Sequence, residues 1–349
     1  MIINLKNLNN EKKFYNIYLS LLRMYLTILV VNAHCFNPYK NNFHNKYLLK
    51  ILRNILHVPC FFLMSFFFCC KMFLKKDIKR IKQRFERLLM NKLFQIKSQD
   101  KILNNIFYYK LKMKLKISLY DLKLQYLAGH NIVVVLWFQY NLIFTTLLIV
   151  IIEFLFNKDA IFILLLIEIF SYFLQYSNYN FRYFYQFNYY KRYTFGRFFE
   201  IIPFCITGYI LSSLNIITYL KKFRIKAMLF ILLIIILISK YNILNNTNGF
   251  GYQSIKIHIL SGNIFMIISL LPSENLKNYH LIKIIKLITS YTAGIYYLHI
   301  PILNYLQNYI QSIKRKSLRG CVIIYITCYF FSFLGIKLFG KTKLRHLFL

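Results

Sequence analysis

Arg23 and His34 stand eleven residues apart inside the first apolar run of the chain, Leu21-Leu22-Arg23-Met24-Tyr25-Leu26-Thr27-Ile28-Leu29-Val30-Val31-Asn32-Ala33-His34. Eleven residues make close to three helical turns, so both side chains fall on one helix face, about 16 Å apart along the axis. Ionisable groups inside such a run are costly and usually face a protein interior or a wet cavity. An imidazole there is the side chain best suited to accept a hydroxyl proton near neutral pH. A second cluster follows: Lys76, Arg80, Arg84 and Arg87, at spacings of four, four and three, form one cationic stripe on a helix. Guanidinium groups pair bidentately with phosphate oxygens, so the stripe reads as a cradle for a phosphorylated ligand, with an ordinary basic collar beside a membrane as the alternative.

The elements that must hold these residues are apolar almost throughout. Of 349 residues, 58% are hydrophobic and 19% aromatic, in runs that one soluble core could not bury but a polytopic membrane protein exposes to lipid. Nine segments suit an all-α, membrane-spanning fold: about 16–36, 49–74, 130–156, 160–176, 197–215, 225–240, 255–271, 284–307 and 319–339. Two are slightly short, and 85–97 is a partly apolar tenth candidate. No small-residue cleavage site follows the first run, which is therefore expected to stay as the first span. The Lys-rich stretch 97–129 suits an amphipathic surface helix or a loop. Eight basic residues between Lys71 and Arg87 place that connection, and with it the amino terminus, on the cytoplasmic side. Asn245-Asn246-Thr247 is a glycosylation acceptor pattern in a connection then placed outside.

The net charge of +36 is mostly Lys, in company with abundant Asn, Ile, Phe and Tyr, a mixture that an A/T-rich coding sequence produces. Anionic headgroups also accommodate it, and no nucleic-acid partner is implied. Seven cysteines occur without any C-x-x-C spacing, which supports neither a metal site nor a disulfide framework and leaves small apolar packing residues. Cys69-Cys70 is a weak acylation signal near a membrane face. Cys35 follows His34 but points about 100° away on a helix, so a Cys/His nucleophile pair is disfavoured. A G-x-S-x-G elbow is absent, which removes the serine-hydrolase reading. Glu153, Glu168, Glu200, Asn263 and His299 are further polar residues within apolar runs. Arg197 and Glu200, three apart, suit mutual neutralisation, while Glu168 and His299 have no local partner and are candidates for the cavity of His34.

Several phrases in order resemble the acyltransferase 3 family. They are the Arg23 to His34 spacing, His57-Val58-Pro59-Cys60-Phe61-Phe62-Leu63-Met64-Ser65, Arg84-x-x-Arg87-Leu88-Leu89, and Leu136-Trp137-Phe138. Later come Gly196-Arg197-Phe198-Phe199-Glu200-Ile201-Ile202-Pro203-Phe204 with Gly208-Tyr209, and Gly294-Ile295-Tyr296-Tyr297-Leu298-His299. The resemblance covers nearly the whole chain as a single domain, 1–349. It implies about ten transmembrane helices and transfer of an acyl group, commonly acetyl from acetyl-CoA, to a hydroxyl of a glycan or related acceptor. By the same resemblance Arg23 and His34 match the family's essential Arg/His pair, and Arg84 and Arg87 match its R-x-x-R motif, which meets the donor at the cytoplasmic side. Arg80 joins them as a donor-binding candidate from the stripe. One departure is Phe66, where family members often have Gly after the Ser of the second-span phrase; packing near the donor path is expected to differ.

The mechanism these expectations compose has His34 as general base on the acceptor hydroxyl, which attacks the thioester directly. Arg23 stabilises developing negative charge or orients the donor, and no metal is needed. The expected partners are acyl-CoA, the hydroxyl acceptor and lipid, with a multi-pass location in the cell membrane. A transporter using intramembrane His, Arg and Glu is the rival reading, lowered by the scarcity of Gly and Pro.

Overall fold

The computed structural model describes residues 16–36, 56, 58–89, 136–180, 191–244, 255–272 and 279–339, and the regular elements among them are helices. In chain order they are α1 (Ile17–Cys35), α2 (Val58–Leu74), α3 (78–89), α4 (Leu136–Phe156), α5 (Ala160–Asn180), α6 (Lys191–Ser213), α7 (Ile216–Lys221), α8 (Arg224–Leu244), α9 (Ile255–Leu270), α10 (Tyr279–Ser290), α11 (Thr292–Leu306), α12 (Gln311–Lys314) and α13 (Leu318–Phe339). The stretch 97–129, His57, the Asn245 triplet and the part of 85–97 beyond residue 89 lie outside the described residues, as do the side chains of Trp137 and Arg197.

Two helices form the centre. α2 lies along α6, and its Phe62, Leu63, Phe66 and Phe73 are fully buried against Phe204, Cys205 and Tyr209. Gly208 sets their separation: a Cβ there would fall against the Leu63 carbonyl oxygen, 2.8 Å from its carbon. α5 flanks α6, α1 packs against α10, α11 and α13, and α8 packs on α9. The rim is apolar, with Phe162, Ile169 and Phe173 on α5, Ile225, Leu229 and Phe230 on α8, and Ile326 and Phe330 on α13 all exposed. Apolar surface of that extent suits lipid rather than water. Among the described residues Ile17–Cys35 and Leu318–Leu338 are long and apolar enough to cross a membrane, and Val58–Leu74, Phe198–Ser213 and Ile255–Leu270 are shorter apolar helices.

Backbone groups freed at helix ends and kinks are met locally. Asn16 caps α1 by accepting from the backbone N–H of Tyr18 and Leu19, and its amide donates to the Ser269 carbonyl at the end of α9. Pro203 inside α6 has no N–H for the Phe199 carbonyl four residues back, and Gln175 of α5 donates to that carbonyl instead, at 2.7 Å. Between α2 and α3, Lys76 takes a left-handed φ of 48°, with Asp77 N–H bonded to the Met72 carbonyl and Lys76 N–H to that of Phe73. This six-to-one and five-to-two pair closes α2, and the Asp77 carboxylate then accepts from Arg80 N–H as the N-cap of α3. Lys316 repeats the device before α13: Ser317 N–H reaches the Ser312 carbonyl and the Ser317 hydroxyl accepts from Gly320.

Two sequence expectations change. The stripe begins at Arg80, because Lys76 belongs to the turn and lies over the Phe154 ring rather than on α3. The segment 284–307 is two helices that break at Tyr291. Hydroxyls explain the break: Thr289 bonds back to the Ile285 carbonyl, Ser290 to Leu287 and Thr292 to Thr289, competing with the helical ladder over four residues.

Replacing Gly208 by Ala is expected to destabilise the protein by about 1–3 kcal/mol or prevent assembly, since backbone rather than a flexible side chain stands in the way. Gly262→Ala, with no atom within 4 Å of its added methyl, is the matched control in thermal unfolding of the detergent-solubilised protein.

Candidate active site

The turn at Lys76 and Asp77 folds α3 back along α2, so residues on α3 face residues one to three turns up α2. Ser65 and Cys69, four apart on one face of α2, thereby meet Arg84. The buried Arg84 guanidinium donates through Nε to the Thr146 hydroxyl of α4 at 3.2 Å, through one terminal nitrogen to the Cys69 sulfur and through the other to Ser65 at 3.0 Å. Its carbon lies 5.2 Å from the centroid of the Phe66 ring. The residue that departs from the family pattern thus supplies a π face to a buried cation. Thr146 keeps a lone pair for Arg84 because its own hydroxyl donates to the Leu142 carbonyl.

All of these Arg84 contacts are neutral. A guanidinium has five N–H groups, and three are used among the described residues, so two face the cavity side without a described acceptor. Beside it is a cavity of about 390 Å3 lined by Arg23, Arg84, Arg87 and Ser65, with Phe61, Phe138 and Tyr296 among its aromatic walls. Thr292 and Ala293 also line it, so the N-terminus of α11, created by the break at Tyr291, adds the partial positive charge of its free N–H groups. Three guanidiniums and a helix N-terminus around one cavity suit an elongated anion with a partly apolar body.

The sequence-predicted residues distribute unevenly over this site. Arg23, Arg84 and Arg87 line the cavity, although Arg23 and Arg84 come from helices far apart in sequence. Arg87 is exposed, with Nε donating to the Gln83 carbonyl. Arg80 lies outside the lining, its side chain 69% exposed and ion-paired with Asp77 at 3.1 Å, where it reinforces the cap of α3. His34, at the far end of α1, is half-buried and is not among the residues that line the cavity. Its ring lies 5.2 Å from that of His299, which hydrogen-bonds the carbonyl of the cavity residue Tyr296. His299, expected as a candidate for the cavity of His34, neighbours that ring, and neither histidine is among the residues lining the cavity beside Arg84.

Glu168 goes elsewhere. It meets His258 and Thr207, and Tyr172 completes the group through its hydroxyl on His258 Nδ1. One consistent assignment runs from the Tyr172 hydroxyl to Nδ1, from Nε2–H to Thr207, and from the Thr207 hydroxyl to Glu168. Sequence reading passed over His258, although a lone histidine in the apolar run Ile257-His258-Ile259-Leu260 carries the same signal as His34. Glu153, buried on α4, accepts from the Tyr209 hydroxyl and ties α4 to α6. Six cysteines are buried in packing; Cys69 alone is half-exposed and serves Arg84.

Residues 16–340 match the family model of an acyltransferase domain, the acyltransferase 3 type. Among curated proteins and solved structures no match is found.

Because Arg84 is buried among neutral partners, its charge contributes little to folding. Arg84→Met is expected to leave stability unchanged or raise it by about 1 kcal/mol. The same change should weaken pyrophosphate binding by about 10- to 100-fold, the worth of charge-assisted hydrogen bonds. Thermal unfolding and ligand titration of one detergent-solubilised preparation read both effects.

Proposed function

The chain belongs to the acyltransferase 3 family, and from that premise we propose that it moves an acyl group, acetyl in the first instance, from acyl-CoA to a hydroxyl of a glycan or related acceptor. The observation that carries this reading is the buried Arg84, hydrogen-bonded among the described residues to neutral groups and opening on a cavity shared with Arg23 and Arg87. In it, Arg84 and Arg87 take the phosphates of the donor at the inner face. Arg80, bound to Asp77, holds the cap that aims α3 and makes no donor contact in this arrangement.

The pantetheine arm then extends past Phe61, Phe138 and Tyr296 toward α1. Arg23, in the cavity, orients the donor, and His34 receives the proton of the attacking hydroxyl. The protein works as one multi-pass domain over 1–349, with about ten spans, in the cell membrane and with a cytoplasmic amino terminus. A hydrocarbon core of about 30 Å asks for about 20 apolar residues per helix, and the shorter α2 and α6 runs sit at the centre, packed against each other.

Membranes containing the protein, given acetyl-labelled acetyl-CoA, should transfer label to a polar acceptor fraction. Arg84→Ala and His34→Ala should each lower transfer by about 100-fold or more, with normal insertion. An active His34→Ala protein rejects the base assignment, and solute flux without acyl transfer replaces the enzyme with a transporter.

A further inference from the structure

His299 lies on α11 one turn beyond Tyr296 and is completely buried. Its Nδ1 is 2.6 Å from the Tyr296 carbonyl oxygen. A carbonyl only accepts, so Nδ1 carries the proton and the lone pair of the neutral ring is on Nε2. Among the described residues that Nε2 has no hydrogen-bonding partner. A buried acceptor left so is unfavourable, and such groups in native proteins call for a functional explanation. The His34 ring is its neighbour across the α1–α11 contact, with centroids 5.2 Å apart and planes tilted by 36°. Edge-to-edge hydrogen bonding between two imidazoles at that separation needs only a rotation of one ring, and catalytic hydrogen bonds commonly tighten when substrate arrives.

We propose that His299 positions His34: Nε2 of His299 accepts the ring N–H of His34, which leaves the other His34 nitrogen as the lone pair that takes the hydroxyl proton. The second half of this assignment rests on the acyl-transfer reading given above. The acceptor O–H bond breaks and its proton passes to His34 as the oxygen bonds the acyl carbon. The carbon–sulfur bond then breaks, and the thiolate takes the proton back from His34. His299 neither gains nor loses a proton over the cycle. Its task is to fix the tautomer and to hold the imidazolium N–H while the charge exists, as an orienting acceptor does for a general base.

The position of His299 gives it a second consequence. Tyr296 contributes both its ring to the cavity wall and its carbonyl to His299 Nδ1. Donor bound against that ring therefore presses on the same turn of α11 that holds the His299 ring through Nδ1. The Tyr296 and His299 rings are themselves 5.9 Å apart.

Two substitutions in the full-length protein separate positioning from packing. In His299→Asn the shorter amide can keep the bond to the Tyr296 carbonyl but places nothing at Nε2, whereas in His299→Gln the longer amide returns an oxygen to that point. Carbethoxylation of His34, followed by mass spectrometry, reads the lone pair without any need for catalysis. The expected result is a fall of about tenfold or more in both the His34 modification rate and kcat for His299→Asn, with donor KM within about twofold, and recovery of both to within about threefold in His299→Gln. Unchanged His34 reactivity in His299→Asn overturns the assignment. Equal losses in the two variants also overturn it, because packing alone does not distinguish them in that way. If the reactivity pattern holds while the wild-type protein transfers no acyl group, the pairing stands and the enzymatic reading falls.

Discussion

A nearly buried guanidinium, Arg84, with no counter-ion among the described residues, is the constraint around which the site is arranged. Little of its surface is accessible, so each of its N–H groups must find an acceptor in the protein or in what fills the cavity. Ser65, Cys69 and Thr146 satisfy three of them from two helices, and Phe66 covers one face. Those contacts fix how α3 lies against α2 and α4. The turn at Lys76 and Asp77 is what makes the geometry accessible, because α3 could not return along α2 without the left-handed residue and the shared cap. The cavity with Arg23 and Arg87 is the remainder of the same arrangement, the space left on the side where Arg84 still has hydrogens to give.

A second constraint comes from polar groups that cross between helices where lipid offers no alternative partner. Glu153 with Tyr209 joins α4 to α6, and the group of Glu168, Thr207, Tyr172 and His258 joins α5, α6 and α9. Together with the Gln175 bond to the carbonyl freed by Pro203, they bind one side of the bundle into a fixed frame. The histidine pair of α1 and α11 lies apart from that frame.

Much of this was legible in the sequence because lipid and a helical core ask for the same thing, long apolar runs. Eight of the nine predicted segments correspond to single helices, α2 appearing over the described part of its run. The ninth did not, since hydroxyls at Thr289, Ser290 and Thr292 interrupt the backbone without interrupting hydropathy. Arg23, Arg84 and Arg87 were readable from residue type and spacing, whereas Glu168 and His299 were offered together for one cavity and the structure separates them. Arg80 was grouped with them by the same periodicity, which cannot tell a cavity face from a capping contact three residues back. Thr146 and Tyr296 were illegible as site residues because their roles arise only when α4 and α11 are brought to α2. His258 was overlooked for lack of a charged neighbour at helical spacing; its partners come from α5 and α6.

The contact of Gly208 with the Leu63 backbone bears on where such a bundle can give. Two backbones that already touch leave nothing to compress, so the line between α2 and α6 behaves as a welded joint. Slack lies instead where α10 and α11 meet at an interrupted turn, beside the short side chains of Thr292 and Ala293 at the cavity. Any shift there carries the Tyr296 turn with it, and the His299 ring tied to its carbonyl moves in step.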